Sequence, residues 1–122
     1  MANPFQNIYN SGIGEKTKIG AFVEIGNAKI GDNCSIQAFT FICGGVEIGN
    51  HVFIGPHVCF TNDKYPEAHG AWVRRKTIVE DNVSIGANST ILPGITLGKG
   101  CKIAAGSIVT KDVKEGELWL KK

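Results

Sequence analysis

The chain has no long apolar run, almost no excess charge of either sign, and no metal-type spacing among its cysteines. Each absence removes a class of protein. No stretch of about 18 apolar residues exists, so no membrane-spanning helix is expected. The formal net charge is only +2 over 122 residues, and basic residues nowhere form a stripe interleaved with aromatics; this argues against a nucleic-acid binder held by electrostatics. Cys34, Cys43, Cys59 and Cys101 include no CxxC pair, and they are expected to be reduced thiols filling small spaces. The opening Met1-Ala-Asn-Pro-Phe5 has neither the charged nor the apolar region of a signal peptide, which points to a cytoplasmic protein. Neither a 3.6-residue nor a 2.0-residue hydrophobic period runs through the chain.

What is present is a period of six. An aliphatic or aromatic residue opens a hexapeptide at Ile13, Ile19 and Ile25, then, after one missing residue, at Ile30, Ile36, Ile42, Ile48, Ile54 and Phe60. The pattern resumes at Val79, Ile85, Ile91, Leu97, Ile103 and Val109. Glycine follows the opener in 8 of these 15 units, several times its share of the composition, so the repeat is a backbone requirement and not chance. The residue four places on is mostly small, as at Val23, Cys34, Thr40, Val83, Ser89 and Ser107. A repeat of this length predicts an all-β solenoid, in which three short strands make a triangular coil and the openers stack inside it. Taken in threes the openers give about five coils in one domain, residues 1–122. A slender prism leaves flat apolar faces, which argues for self-association.

One break interrupts the period. From Phe60 to Val79 the chain advances 19 residues where one repeat advances six, so a loop of about residues 61–78 must protrude from the middle coil. Loops of that length in compact folds are usually functional. This one gathers Asn62, Asp63, Tyr65, His69, Trp72, Arg74, Arg75 and Lys76. The alternative is a solvated insertion that fastens one subunit to the next.

The repeat, the segment Phe60-Thr-Asn-Asp-Lys-Tyr-Pro66, and the runs from Ile85 to Gly98 and from Ile103 to Val113 together resemble the hexapeptide-repeat acyltransferases. Among these the likeness is greatest to N-acetyltransferases of nucleotide-linked 3-amino sugars. The resemblance implies a left-handed parallel β-helix, against the usual right-handed crossover, and a homotrimer with active sites between neighbouring prisms. It implies acetyl-coenzyme A as the acyl donor, a nucleotide-linked amino sugar as the acceptor, and no metal.

Residue roles follow as expectations. Asn62 and Asp63 stand where the resembling enzymes contact the amino sugar. Asn62 would orient the amine and the tetrahedral intermediate, or would form an Asx turn at the loop's start; Asp63 would order the loop, accept a proton, or be an exposed turn carboxylate. His69, the loop's one histidine, is a candidate general base. Tyr65, Arg74 and Arg75 are candidates for substrate contact, since guanidinium forks suit phosphate. Gly86, Ala87, Ala104 and Ala105 would let coenzyme A approach the main chain, and Lys111 would meet its phosphates. His51 and His57 occupy one phase of adjacent hexapeptides and should point outward, as surface or trimer contacts. Three other readings stay open: an O-acetyltransferase of the same superfamily, a non-catalytic trimeric module, and a γ-type carbonic anhydrase, whose Gly-Glu-Leu-Trp ending resembles Gly116–Trp119. The last needs converging zinc ligands, and the three histidines lack that family's spacing.

Overall fold

A computed structural model describes residues 5–70 and 72–120 and contains strands and turns but no helix among them. The strands are two or three residues long and pair only in parallel. They form three faces of one left-handed β-helix. Face A stacks Asn7–Tyr9, Glu24–Gly26, Phe41–Ile42, Cys59–Phe60, Thr90–Ile91 and Ile108–Val109. Face B stacks Gly12–Ile13, Lys29–Ile30, Val46–Ile48, Thr77–Val79 and Thr96–Leu97. Face C stacks Lys18–Ile19, Ser35–Ile36, Phe53–Ile54, Ser84–Ile85, Lys102–Ile103 and Leu118–Trp119. The chain runs B, C, A in each turn, so coils 1 to 5 begin at Ile13, Ile30, Ile48, Val79 and Leu97.

The opener columns are the core. Ile25, Ile42, Phe60, Ile91 and Val109 are all fully buried on face A, and Leu97, Ile54 and Ile85 are equally inaccessible on the other two faces. Ile13 and Ile19, in the first coil, are only partly covered. Each buried aliphatic side chain stabilises by about 1.5–3 kcal/mol relative to exposure. The small residue four places on also turns inward, as the buried Val23, Thr40, Val58, Ser89 and Ser107 show. Where it is polar, its hydroxyl finds a carbonyl: Thr40 Oγ1 donates to Gly55 O at 3.0 Å and Ser89 Oγ to Ala104 O at 3.1 Å. No helix among the described residues is long and apolar enough to cross a membrane.

The solenoid is longer than the five coils that the period counts. Asn7–Tyr9 pairs with Glu24–Gly26 beneath coil 1, and Leu118–Trp119 pairs with Lys102–Ile103 above coil 5. Sequence periodicity missed both because Ile8 is followed by Tyr9 and the last inward place on face C holds Trp119, neither of which fits the aliphatic-glycine signature. Tyr9 does the covering there. Its ring lies over Gly26, where a Cβ would overlap it, and its hydroxyl donates to Glu24 Oε2 at 2.9 Å.

The corners differ from one another. At the B–C corner coils 2 to 4 each reach back to the one before: Asp32 Oδ1 accepts from Glu15 N (2.9 Å), Asn50 Oδ1 from Asp32 N (2.8 Å), and Asp81 Oδ1 from Asn50 N (2.8 Å). These oxygens fill the space a Cβ would need at Gly14, Gly31 and Gly49, which explains glycine after the opener there. At the C–A corner the left-handed position is held by Phe22 (φ 59°), Phe39 (φ 64°), His57 (φ 60°), Asn88 (φ 62°) and Gly106 (φ 73°). The rings form a ladder, with centroids 5.4 Å apart for Phe5 and Phe22, 5.2 Å for Phe22 and Phe39, and 4.8 Å for Phe39 and His57. A bulky residue in this conformation costs roughly 1–2 kcal/mol, yet Phe22 and Phe39 remain 55% and 51% exposed. The four cysteines are free, with Cys34 and Cys101 pointing inward and buried as expected; Cys43 is buried too, in the place after an opener that glycine often fills, whereas Cys59 is only half-buried and fills no small inward space.

Candidate active site

The loop leaves face A after Cys59–Phe60 in coil 3 and rejoins the prism on face B at Thr77–Val79. Its two roots are tied to the coils on either side. The Thr61 amide and hydroxyl both donate to Ile91 O at 3.0 Å, while Thr77 N donates to Gly45 O at 2.9 Å and Thr77 Oγ1 accepts from Gly94 N at 3.1 Å. Between the roots, Trp72 Nε1 donates to Asn62 O at 2.6 Å. The guanidinium of Arg74 lies 5.9 Å from the centre of the Trp72 ring, and its Nη2 occupies the space a Cβ would take at Gly44. Arg75 packs its stem against Gly94 and its guanidinium 5.7 Å from the centre of the Tyr65 ring, which Lys64 approaches at 5.5 Å. Lys76 pairs with Glu47 at 3.0 Å.

Asn62 and Asp63 sit half-buried at the first root. Among the described residues neither side chain makes a hydrogen bond, so no bond supports an Asx turn at Asn62. Tyr65 is exposed between its two cations. His69 is exposed in the turn closed by Gly70 N and Glu67 O (3.4 Å), and no hydrogen bond or ion pair among the described residues joins it to Asn62 or Asp63. Arg74 and Arg75 are clamps between the loop and the coils, each with its aliphatic stem or guanidinium face engaged; neither guanidinium makes a hydrogen bond or ion pair among the described residues.

The cofactor candidates divide into two groups. Gly86, Ala87, Ala104 and Ala105 stack together at the C–A corner of coils 4 and 5, so closely that a Cβ on Gly86 would run into the Ala105 backbone. The aromatic ladder stops at His57, and Asn88 and Gly106 leave the corner low beyond it. The main-chain N–H groups of Ala87 and Ala105 have no hydrogen-bond partner among the described residues. Lys111 is not with them: it is exposed just past Val109, at the end of face A where the loop also begins. Loop and alanine corner therefore flank face A from opposite edges, with Cys59, Thr90 and Ile108 in register on the outward surface between them. Burial pushes the Cys43 thiol up to about 11 and raises that of Cys59. Neither supplies a thiolate nucleophile near neutral pH.

The histidines do not converge. His51 lies at the B–C corner, His57 stacks on Phe39 at the C–A corner, and His69 is on the loop. No group of three or more His, Cys, Asp or Glu able to hold a metal occurs among the described residues. Sequence reasoning gave no role to Trp72 and overlooked the ladder. The ladder had a signal, since Phe5, Phe22, Phe39 and His57 recur at about one coil's spacing; the Trp72 contact had none, because loop geometry does not repeat.

Comparisons with known proteins agree with the fold. The family "Bacterial transferase hexapeptide (six repeats)" matches residues 10–44 and 27–62, and "Hexapeptide repeat of succinyl-transferase" matches residues 76–111. A bifunctional protein GlmU from Caldicellulosiruptor saccharolyticus is 37% identical over 109 residues, which are 89% of this chain and 22% of that protein. The chain thus spans about a fifth of the length of the curated relatives it matches. The N-acyltransferase AntD from Bacillus cereus, solved with dTDP and 3-hydroxybutyryl-CoA, superposes with a TM-score of 0.83 at 23% identity, covering 94% of this chain and 71% of AntD. A hexapeptide-repeat acetyltransferase from Vibrio cholerae gives a TM-score of 0.63 at 28% identity, covering 88% of this chain and 66% of its own. That protein has also been solved with acetyl-coenzyme A.

Proposed function

Because the chain belongs to the hexapeptide-repeat transferase superfamily, we propose that it moves an acetyl group from acetyl-coenzyme A to the amino group of a nucleotide-linked sugar. The observation that carries this reading is the pair of edges on face A. One edge offers main-chain N–H donors that are unpaired among the described residues, on a low, small-residue corner, which suits the amide carbonyls of a pantetheine arm. The other offers Asn62 and Asp63, unbonded and half-buried at the root of a clamped loop. AntD and the Vibrio cholerae acetyltransferase, which share the fold, bind a coenzyme A thioester.

Acetyl transfer needs a neutral amine held against the thioester carbonyl, donors for the developing oxyanion, and a destination for the amine proton. The amine nitrogen bonds to the acetyl carbon, and the coenzyme A thiolate departs and is reprotonated. In this reading the Asn62 amide orients the amine and donates to the oxyanion, while Asp63 takes the proton directly or through water. Tyr65 and the free edges of Arg74 and Arg75 meet the nucleotide end. Gly86, Ala87, Ala104 and Ala105 line the pantetheine path, and Lys111, at the loop's edge, meets a phosphate.

The width of face A separates the two edges within one chain, so donor and acceptor are brought together most simply when a second prism sets its corner against this chain's loop. A homotrimer meets that need. It also gives the half-exposed, left-handed Phe22 and Phe39 a surface to pack on, in line with the apolar area that marks protein contacts. Light scattering should show a trimer at micromolar concentration; a monodisperse monomer would remove the inter-subunit site. The direct test is an acetyl-transfer assay with acetyl-coenzyme A and a panel of nucleotide-linked amino sugars. Asn62→Ala should lower kcat by roughly 10- to 1000-fold, the range for losing one preorganised polar contact, with coenzyme A binding retained. If His69→Ala abolishes turnover while Asn62→Ala does not, the loop histidine is the base and the assignment is inverted.

A further inference from the structure

Asn62 can act on an acceptor only if its backbone is held still, and between Thr61 and Lys76 the described residues of the loop carrying it form no strand. Its main-chain carbonyl accepts the Trp72 indole N–H at 2.6 Å, a bond that spans ten residues of loop. Trp72 is in turn not loose. The Arg74 guanidinium lies along its ring, 5.9 Å from the centre, and Nη2 of the same group rests on Gly44, where any side chain would displace it. A continuous set of contacts thus runs from coil 2 through Gly44, Arg74 and Trp72 to the peptide of Asn62. A hydrogen bond to the Asn62 carbonyl fixes the peptide plane beyond Asn62, and with it the direction in which the Asn62 side chain leaves the chain.

We infer that Trp72 is a positioning residue: a strut rooted on Gly44 that sets the orientation of Asn62. The inference rests on the catalytic reading of Asn62 given above, but its structural half stands apart from that reading and can be measured without turnover. Trp72→Phe keeps an aromatic face for Arg74 and removes the N–H together with part of the indole ring. Gly44→Ala leaves the indole intact and displaces Arg74 beneath it.

Two readouts on the 122-residue chain separate the parts. Among the main-chain N–H groups of residues 61–70 only those of Thr61 and Gly70 are hydrogen-bonded within the described residues, so loop order is read by 15N relaxation. In Trp72→Phe the order parameters of residues 61–65 should fall toward the flexible range, below about 0.6, with those of the coils and the melting temperature unchanged. In the acetyl-transfer assay the same variant should lose about tenfold in kcat, on the scale of one hydrogen bond, with the coenzyme A KM unaltered, and Gly44→Ala should move both readouts in the same direction by less. Wild-type order parameters over residues 61–65 in Trp72→Phe overturn the strut, whatever the catalytic result. Lower order parameters with unchanged kcat, in a protein whose Asn62→Ala variant is impaired, overturn the positioning role. If the wild type transfers no acetyl group to any acceptor, the catalytic reading of Asn62 fails, the positioning role fails with it, and the order parameters decide the strut alone.

Discussion

Two corners of the same prism solve one backbone problem in opposite ways. At the B–C corner and at the C–A corner the chain turns through a residue in the left-handed region, and the N–H just before that residue points outward. At B–C that N–H is capped in coils 1 to 3 from the next coil, by Asp32 for Glu15, Asn50 for Asp32 and Asp81 for Asn50, and in coil 5 from the coil before, by Glu80 Oε1 for Lys99; that of Asp81 in coil 4 has no partner among the described residues. At C–A the equivalent groups on Ala21, Ala38, Ala87 and Ala105 have no partner among the described residues, and coil 3 removes the donor altogether with Pro56. One corner is mostly capped within the chain. The other leaves its N–H groups to solvent or to whatever is laid against it, and the aromatic ladder over its first half and the bare alanines over its second half fit two different complements, a protein surface and a ligand.

The contrast can be broken in a graded series. The largest effect belongs to the column between the corners: Ile85→Asp puts an unpaired carboxylate into a fully buried position, which should cost several kcal/mol, while Asn88→Asp, a few residues on at the exposed corner, should melt almost as the wild type does. Thermal melts of the two side by side check the register. Next comes Ala105→Pro. Proline already holds the matching place in coil 3, so the prism should tolerate it, yet the lost N–H should weaken coenzyme A binding by about tenfold, the value of one good hydrogen bond. Calorimetric titration measures this, and unchanged affinity would refute the free-donor reading of the corner. The smallest effect is at B–C. Asp81→Ala uncaps Asn50 and should cost about 1 kcal/mol of stability without touching coenzyme A affinity, whereas Asp81→Asn should restore the loss, because Asn50 performs the same capping one coil earlier.

The same contrast explains what could be read from the residues alone. Positions inside the prism are dictated by a period of six, so Ile85, Phe60 and the inward Ser89 were all legible, and so was the loop, as a gap in that period. His51 and His57 were rightly placed outward. The corners obey a longer rule, one residue per coil, which a six-residue window does not display; hence the stack of Phe22, Phe39 and His57 went unread. The loop obeys no rule of repetition at all. That Lys111 falls on the loop's side of face A, away from Ala87 and Ala105, depends on counting faces in three dimensions. That Arg74 is seated on Gly44 depends on a fold-back no spacing encodes.

The bond from Asn50 N to Asp81 Oδ1 bridges 31 residues of chain, where the matching bond from Asp32 N to Asn50 Oδ1 bridges 18. Chain-closure entropy grows only with the logarithm of length, so the longer span adds about 0.5 kcal/mol to the cost of docking coil 4 on coil 3. A solenoid gains its stability from one coil meeting the next, and that gain is left almost whole by the excursion. Folding can therefore propagate past the insertion at nearly the rate set by the uninterrupted coils, and a loop of different length or composition can be exchanged at this position without re-deriving the rest of the protein.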